Sequence, residues 1–144
     1  MRLLALGLSA TLLFALAGCD GEGSLPEEPQ LFVDREELTF GQEFGSGTTV
    51  GTEAFESLYI ENQGRQTLEM TAMTKTVAPA FVVTLPAPLD RGQPLLLASG
   101  EHVIVQVGFR PQAAQAYTGS LVIESNAANA PSKTISLSGL GTTP

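Results

Sequence analysis

Val103, Val105, Val107 and Phe109 stand two residues apart, and no other feature of the chain restricts its folding so tightly. Successive side chains of an extended strand point to opposite faces, so residues two apart share a face, whereas a helix would scatter them around its surface. The same period recurs in shorter rows: Leu58 and Ile60, Leu68 and Met70, Phe81, Val83 and Leu85, Leu121 and Ile123, Ile135 and Leu137. Each row reads as a strand with one buried face. Turn-forming residues separate them at Asn62-Gln63-Gly64, Asp90-Arg91-Gly92, Ser99-Gly100 and Asn126 to Pro131. No segment beyond residue 18 carries a helical period with caps. About seven strands in about 110 residues predict an all-β fold, an antiparallel sandwich of two sheets. With one cysteine and no tryptophan, the chain lacks the Cys…Trp…Cys core of an antibody-type domain.

Local chemistry fits that reading. Asn62 and Gly64 both tolerate positive φ and suit a hairpin turn. Pro111, just after Phe109, ends a strand by removing a ladder donor. Gly139 and Gly141 within the last strand predict a bulge or close backbone packing.

The chain starts differently. Arg2 precedes an apolar run from Leu3 to Ala17, closed by the small residues Ala17 and Gly18 before Cys19. A positive start, a short apolar stretch and a small-residue cleavage site are the parts of a secretory signal, and the run is short for a bilayer span. Leu16-Ala17-Gly18-Cys19 resembles a lipobox, the processing site of bacterial lipoproteins. That resemblance implies cleavage between Gly18 and Cys19, a diacylglyceryl thioether on the Cys19 sulfur, and usually an acyl chain such as palmitate on the new amino terminus. Cys19 is the single cysteine of the chain, and an unpaired thiol in an exported protein needs a reason. An ordinary signal peptide or an uncleaved anchor helix is the alternative.

Residues 1–18 are therefore expected to be removed. Residues 19–30 are expected to form a lipidated cysteine and a flexible tether, and 31–144 the β-sandwich. From Asp20 to Gln30 the tether has four acids, no base, and repeated Gly and Pro. Stretched out, it would reach about 36–40 Å. The expected location is a membrane, through lipid on Cys19, with the domain outside the cytoplasm. Asp20 resembles the inner-membrane retention signal of enteric-type sorting, a code that other lineages do not follow, so inner and outer membrane both stay open.

The sequence carries fifteen acids against seven bases, a formal charge of −8. Such a balance argues against nucleic acid, which demands Lys/Arg stripes, and against binding to anionic lipid. With no second cysteine, the domain must be held by a hydrophobic core.

The search for chemistry yields no catalytic residue, no metal ligand set and no cofactor site. His102, the only histidine, lies beside Glu101 at a strand start, without a nucleophile or an orienting partner. One histidine, no free thiol after lipidation and no Asp-rich loop leave no recognisable zinc or calcium ligand set. Gly45-Ser46-Gly47 lacks the Lys and helix that a phosphate loop requires. Glu27-Glu28 and the charged run Asp34-Arg35-Glu36-Glu37 read as solvated surface, the run being a weaker candidate for a partner patch. No small-molecule substrate is evident.

A set of phrases in strand order carries a family resemblance: Leu38-Thr39-Phe40-Gly41, Val50-Gly51-Thr52, Leu58-Tyr59-Ile60-Glu61-Asn62-Gln63-Gly64, Val105-Gln106-Val107-Gly108-Phe109-Arg110-Pro111, Tyr117 to Asn126, and Leu137-Ser138-Gly139-Leu140-Gly141. Together they resemble the ASH domain of abnormal-spindle, spindle-defective and hydin proteins, which in bacteria overlaps the choice-of-anchor D modules. The resemblance covers Leu31 to Gly141. It implies an immunoglobulin-like sandwich related to the major-sperm-protein and pilus-chaperone type, non-catalytic and engaged in protein contacts. Eukaryotic members serve cilia, centrosomes and microtubules, a setting that a lipidated bacterial chain does not share. The stretch Gln42 to Thr49 is several residues longer than the usual spacing, which leaves the register of the leading strand open.

The expected function is thus a membrane-anchored lipoprotein displaying an interaction or structural domain at the cell envelope, with a protein partner whose identity the sequence does not give. The alternative is an accessory subunit of a larger envelope assembly for secretion, adhesion or motility.

Overall fold

The structure, a computed structural model, describes residues 24–41, 47–76 and 79–144. Its strands are β1 (Leu31–Val33), β2 (Glu37–Phe40), β3 (Thr48–Thr49), β4 (Ala54–Asn62), β5 (Leu68–Thr76), β6 (Phe81–Thr84), β7 (Leu95–Leu97), β8 (His102–Phe109), β9 (Ala116–Ser125) and β10 (Ser132–Thr142). A single 3-10 turn, Leu89–Arg91, lies between β6 and β7. One sheet runs β1-β4-β8-β6, and the other runs β2-β10-β9-β5-β7 with β3 also on β10. The two-sheet all-β architecture is the expected one. Ten strands replace about seven because β1, β3 and β7, at two or three residues each, are too short to show a period. Among the described residues no helix is long and apolar enough to cross a membrane.

The alternating rows turn inward as their period requires. Val105, Val107 and Phe109 are buried on β8, facing Leu58 and Ile60 of β4 within one sheet and Leu121, Ile123, Ile135 and Leu137 of the other. Phe40, Phe81 and Phe109, from three different strands, meet with ring centroids 5.0–5.6 Å apart. Each fully buried aromatic or aliphatic side chain contributes about 1.5–3 kcal/mol. Gly139 fits under this cluster, since a Cβ there would stand 2.7 Å from the Phe109 ring. Gly141 is likewise pressed, its would-be Cβ 2.2 Å from the Ala113 carbonyl oxygen. Close packing, rather than a bulge, explains both glycines.

The ladders are antiparallel except at the leading edge, where β2 and β3 run parallel to β10. The open register question around Gln42 to Thr49 is answered at its two ends. Phe40 lies opposite Gly139 and Thr48 opposite Gly141, so the chain leaves β10 after β2 and rejoins it at β3. The Gly47 N–H donates to the Gly41 carbonyl at 2.9 Å and closes the base of the excursion; residues 42–46 lie outside the described residues.

Asn62-Gln63-Gly64 is not a hairpin. β4 and β5 belong to different sheets, and the loop carries the chain across the sandwich. Asn62 is fully buried and acts through its side chain, accepting the Gly64 N–H at 2.9 Å and donating to the Gln66 carbonyl at 2.8 Å. Gly64 is required by contact, not by φ: a Cβ there would lie 2.0 Å from the Glu28 carbonyl oxygen.

That contact corrects the tether. From Pro26 the chain is already laid against the domain, with Arg65 N–H donating to Pro26 O, Gln66 N–H to Glu27 O, Ala128 N–H to Pro29 O and Gln63 N–H to Gln30 O. Composition suggested flexibility up to Gln30, but loops on both sheets satisfy this backbone, and Pro29 is buried. Asn129 completes the clamp by pairing with both backbone groups of Leu31, each at 2.9 Å.

Candidate interaction face

Strand parity gives each sheet an outer face, and the two differ in chemistry. On the β2-β10-β9-β5-β7 sheet the outward positions are mostly hydroxyls, among them Thr39 and Ser138, which bond each other at 3.2 Å, and the paired Thr76 and Ser120. On the β1-β4-β8-β6 sheet they include several aromatic and aliphatic side chains. Phe32, Phe55, Val82 and Ile104 are 38%, 54%, 47% and 61% exposed. Single exposed apolar residues are ordinary, but several on one sheet face are the usual mark of a contact surface.

The register assembles them. Phe32 of β1 lies opposite Glu61 of β4, and Glu61 opposite His102 of β8, with Tyr59 and Ile104 paired in the next row. The His102 ring stacks on Tyr59 at 4.9 Å, and Phe32 stands edge-on to Tyr59 at 6.5 Å. The Tyr59 hydroxyl donates to Glu61 Oε2 at 3.2 Å. Partial burial, then this hydrogen bond and the Glu61 charge, hold the Tyr59 phenol above its ordinary value of 10.0. At the other end of the face Phe55 and Val82 flank Gly108, and Ser57, Gln106 and Thr84 form a polar row between the two apolar groups.

Of the residues singled out in the sequence, His102 falls on this face, as an exposed ring stacked on Tyr59 with no nucleophile beside it. Glu101 is spent locally, accepting the Ala98 N–H at 2.8 Å. The run Asp34-Arg35-Glu36-Glu37 is largely neutralised: Arg35 pairs with Asp34 at 3.0 Å and Glu56 at 3.2 Å, and Glu36 pairs with Lys133. Glu27 pairs with Arg65 at 3.0 Å. Gly18 and Cys19 lie outside the described residues. Among the described residues no three His, Cys, Asp or Glu side chains converge as a metal site. Alternation in the sequence marks the inward side chains, whereas Phe55, Tyr59 and Ile104 occupy outward positions that usually carry polar side chains, and that exception is the local signal of this face.

Residues 28–142 match the family described as Cep192 domain 4. The chain belongs to that family. The resemblance to ASH domains is thereby borne out for the fold. The matched span begins within the Pro26–Gln30 segment that the structure lays on the sandwich. In structure it is similar to the ASH / PapD-like domain of human CEP192 (PapD-like domain 7), with TM-score 0.62 and 16% identity over 96% of this chain and 99% of that one. It is also similar to a Porphyromonas gingivalis W83 protein of unknown function, with TM-score 0.60 and 15% identity over 83% of this chain and 50% of that one. A chain of the chaperone–tip adhesin complex of CFA/I fimbriae biogenesis aligns with TM-score 0.52 and 9% identity, over 78% of this chain and 58% of that one. These likenesses concern the fold. A sequence comparison with curated proteins gives no match.

Proposed function

We propose that this chain is an exported bacterial lipoprotein, held on a membrane by lipid on Cys19, whose Cep192-type domain is a non-catalytic module for binding another protein at the cell envelope. The observation that carries the anchor is Leu16-Ala17-Gly18-Cys19 at the end of the apolar run. The contact role is supported by the family membership and by the aromatic outer face.

The backbone is bonded to the domain at Pro26, and the segment from Cys19 to Pro26 spans at most about 23–25 Å. The end of the sandwich bearing Gln63–Gln66 and Ala128 is then the end nearest the membrane, because those residues hold the leading segment. Both sheet faces stand to the side of the anchor, open to a partner.

Metabolic labelling with a palmitate analogue tests the anchor: the wild type takes up label and Cys19→Ser does not. Equal labelling of the two would reject it. Co-purification from solubilised membranes separates a freely displayed module from a fixed subunit of a larger assembly, which would return defined partners in constant ratio.

A further inference from the structure

We propose that the Phe32–Tyr59–Glu61 end of the four-stranded sheet's outer face is a docking site for an arginine-bearing protein segment, with the guanidinium seated against the aromatic rings and paired with Glu61. This deepens the reading of the domain as an interaction module and does not depend on the lipid anchor.

Charge and shape both select the occupant. Glu61 sits between Phe32 and His102 in register, and no Lys or Arg among the described residues forms an ion pair with it. No lysine or arginine occupies an outward position on β1, β4, β8 or β6, and the nearby Arg35 is committed to Asp34 and Glu56. The face therefore presents a carboxylate amid apolar surface on a chain of formal charge −8. Arginine meets both halves of that surface. Its planar, weakly hydrated guanidinium stacks on aromatic rings and forks onto a carboxylate, which the compact, strongly hydrated ammonium of lysine does less well. Directly opposed residues on neighbouring strands have Cβ atoms about 4.5–5.5 Å apart, so one guanidinium spans the Phe32 ring and the Glu61 carboxylate. Ile104, the most exposed apolar side chain of the face, offers contact to an aliphatic neighbour of that arginine. A second copy of this chain is disfavoured, since it would bring Glu61 and the same net negative charge to the contact. A sugar ring is a poorer fit as well, because Phe32 stands at 70° to Tyr59 and the rings give no level platform.

The test is fluorescence anisotropy with the full chain, purified in a mild detergent that tolerates attached lipid. The probe is a fluorescein-labelled peptide alternating valine and arginine, set against the same peptide with citrulline in place of arginine. Saturable binding to the arginine peptide, weak binding to the citrulline peptide, and a roughly tenfold loss in Glu61→Gln and in Phe32→Ser are expected. Glu124→Gln removes the same charge from the outer face of the other sheet and should leave affinity unchanged. Circular-dichroism melts verify that each variant is folded, and Glu61→Gln decides the matter if Phe32→Ser is not. Equal loss in Glu124→Gln, equal binding of the citrulline peptide, or no saturable binding would overturn the proposal. So would a concentration-dependent dimer that Phe32→Ser dissolves, which makes a second copy the occupant. Peptide binding is read without reference to Cys19, so a failure here and a failure of the anchor are separate results.

Discussion

Asn62 on β4 donates from Nδ2 to the Leu97 carbonyl on β7 at 3.0 Å, joining one sheet of the sandwich to the other. The same side chain donates to Gln66 O and accepts from the Gly64 and Gln30 N–H groups, so one buried amide ties the crossing loop, the leading segment and both sheets. Asn62→Ala strands these groups without partners, and each buried unsatisfied group costs about 1–3 kcal/mol. We expect a loss of roughly 2–4 kcal/mol in urea denaturation. Asn62→Asp, which keeps the acceptor and loses both donors, should not recover it. A cost near zero would mean that water replaces the amide.

Val105 is fully buried, and its neighbour Gln106 points to solvent. Val105→Asp should cost several kcal/mol, because it places an unpaired charge in the core, whereas Gln106→Asp should be tolerated. Thermal melts compare the two directly, and equal melting temperatures would contradict the register of β8.

Gly64→Ala should dislodge the leading segment, because its Cβ would overlap the Glu28 carbonyl. Hydrogen exchange reads this at the Arg65 and Gln66 amides, which donate to Pro26 and Glu27. Both should lose protection in the variant. Gly92→Ala serves as the comparison, since Gly92 has open space around it and φ of 71°, and should cost only about 1 kcal/mol without touching those amides. Unaltered protection in Gly64→Ala would show that the segment is held by something else.

Tyr59 should ionise above 10.0, as the ultraviolet difference between wild type and Tyr59→Phe reports. A phenol whose pKa is raised by folding contributes stability fully below its unfolded value, and that contribution is lost as pH rises through the folded value. Glu61→Gln removes the negative charge but leaves the partial burial, so the titration should move down while staying above 10.0. No movement would place Glu61 away from the phenol in solution.

The alternation in the sequence determined which side chains form the core, because strand parity is a local property that residues two apart share whatever the strand later pairs with. It gave the inward row of β8, the inward pairs of β4, β9 and β10, and with them the sandwich class. The sequence also placed Asn62 and Gly64 at a turn, with the signature of a hairpin, and Gly139 and Gly141 at a bulge or close packing. Only the tertiary structure decided that β4 and β5 part company into different sheets, since pairing depends on contacts between segments far apart in the chain. The partners of Asn62 at Gln30 and Leu97 follow from that arrangement and leave no local signature. The leading segment shows the same limit: its Gly, Pro and acid content describes a free chain, while its order comes from loops around Gly64 and Ala128 that close over its backbone. The outer face is tertiary as well. Phe32, Tyr59 and His102 are scattered in sequence, and the register of β1, β4 and β8 alone stacks them beside Glu61.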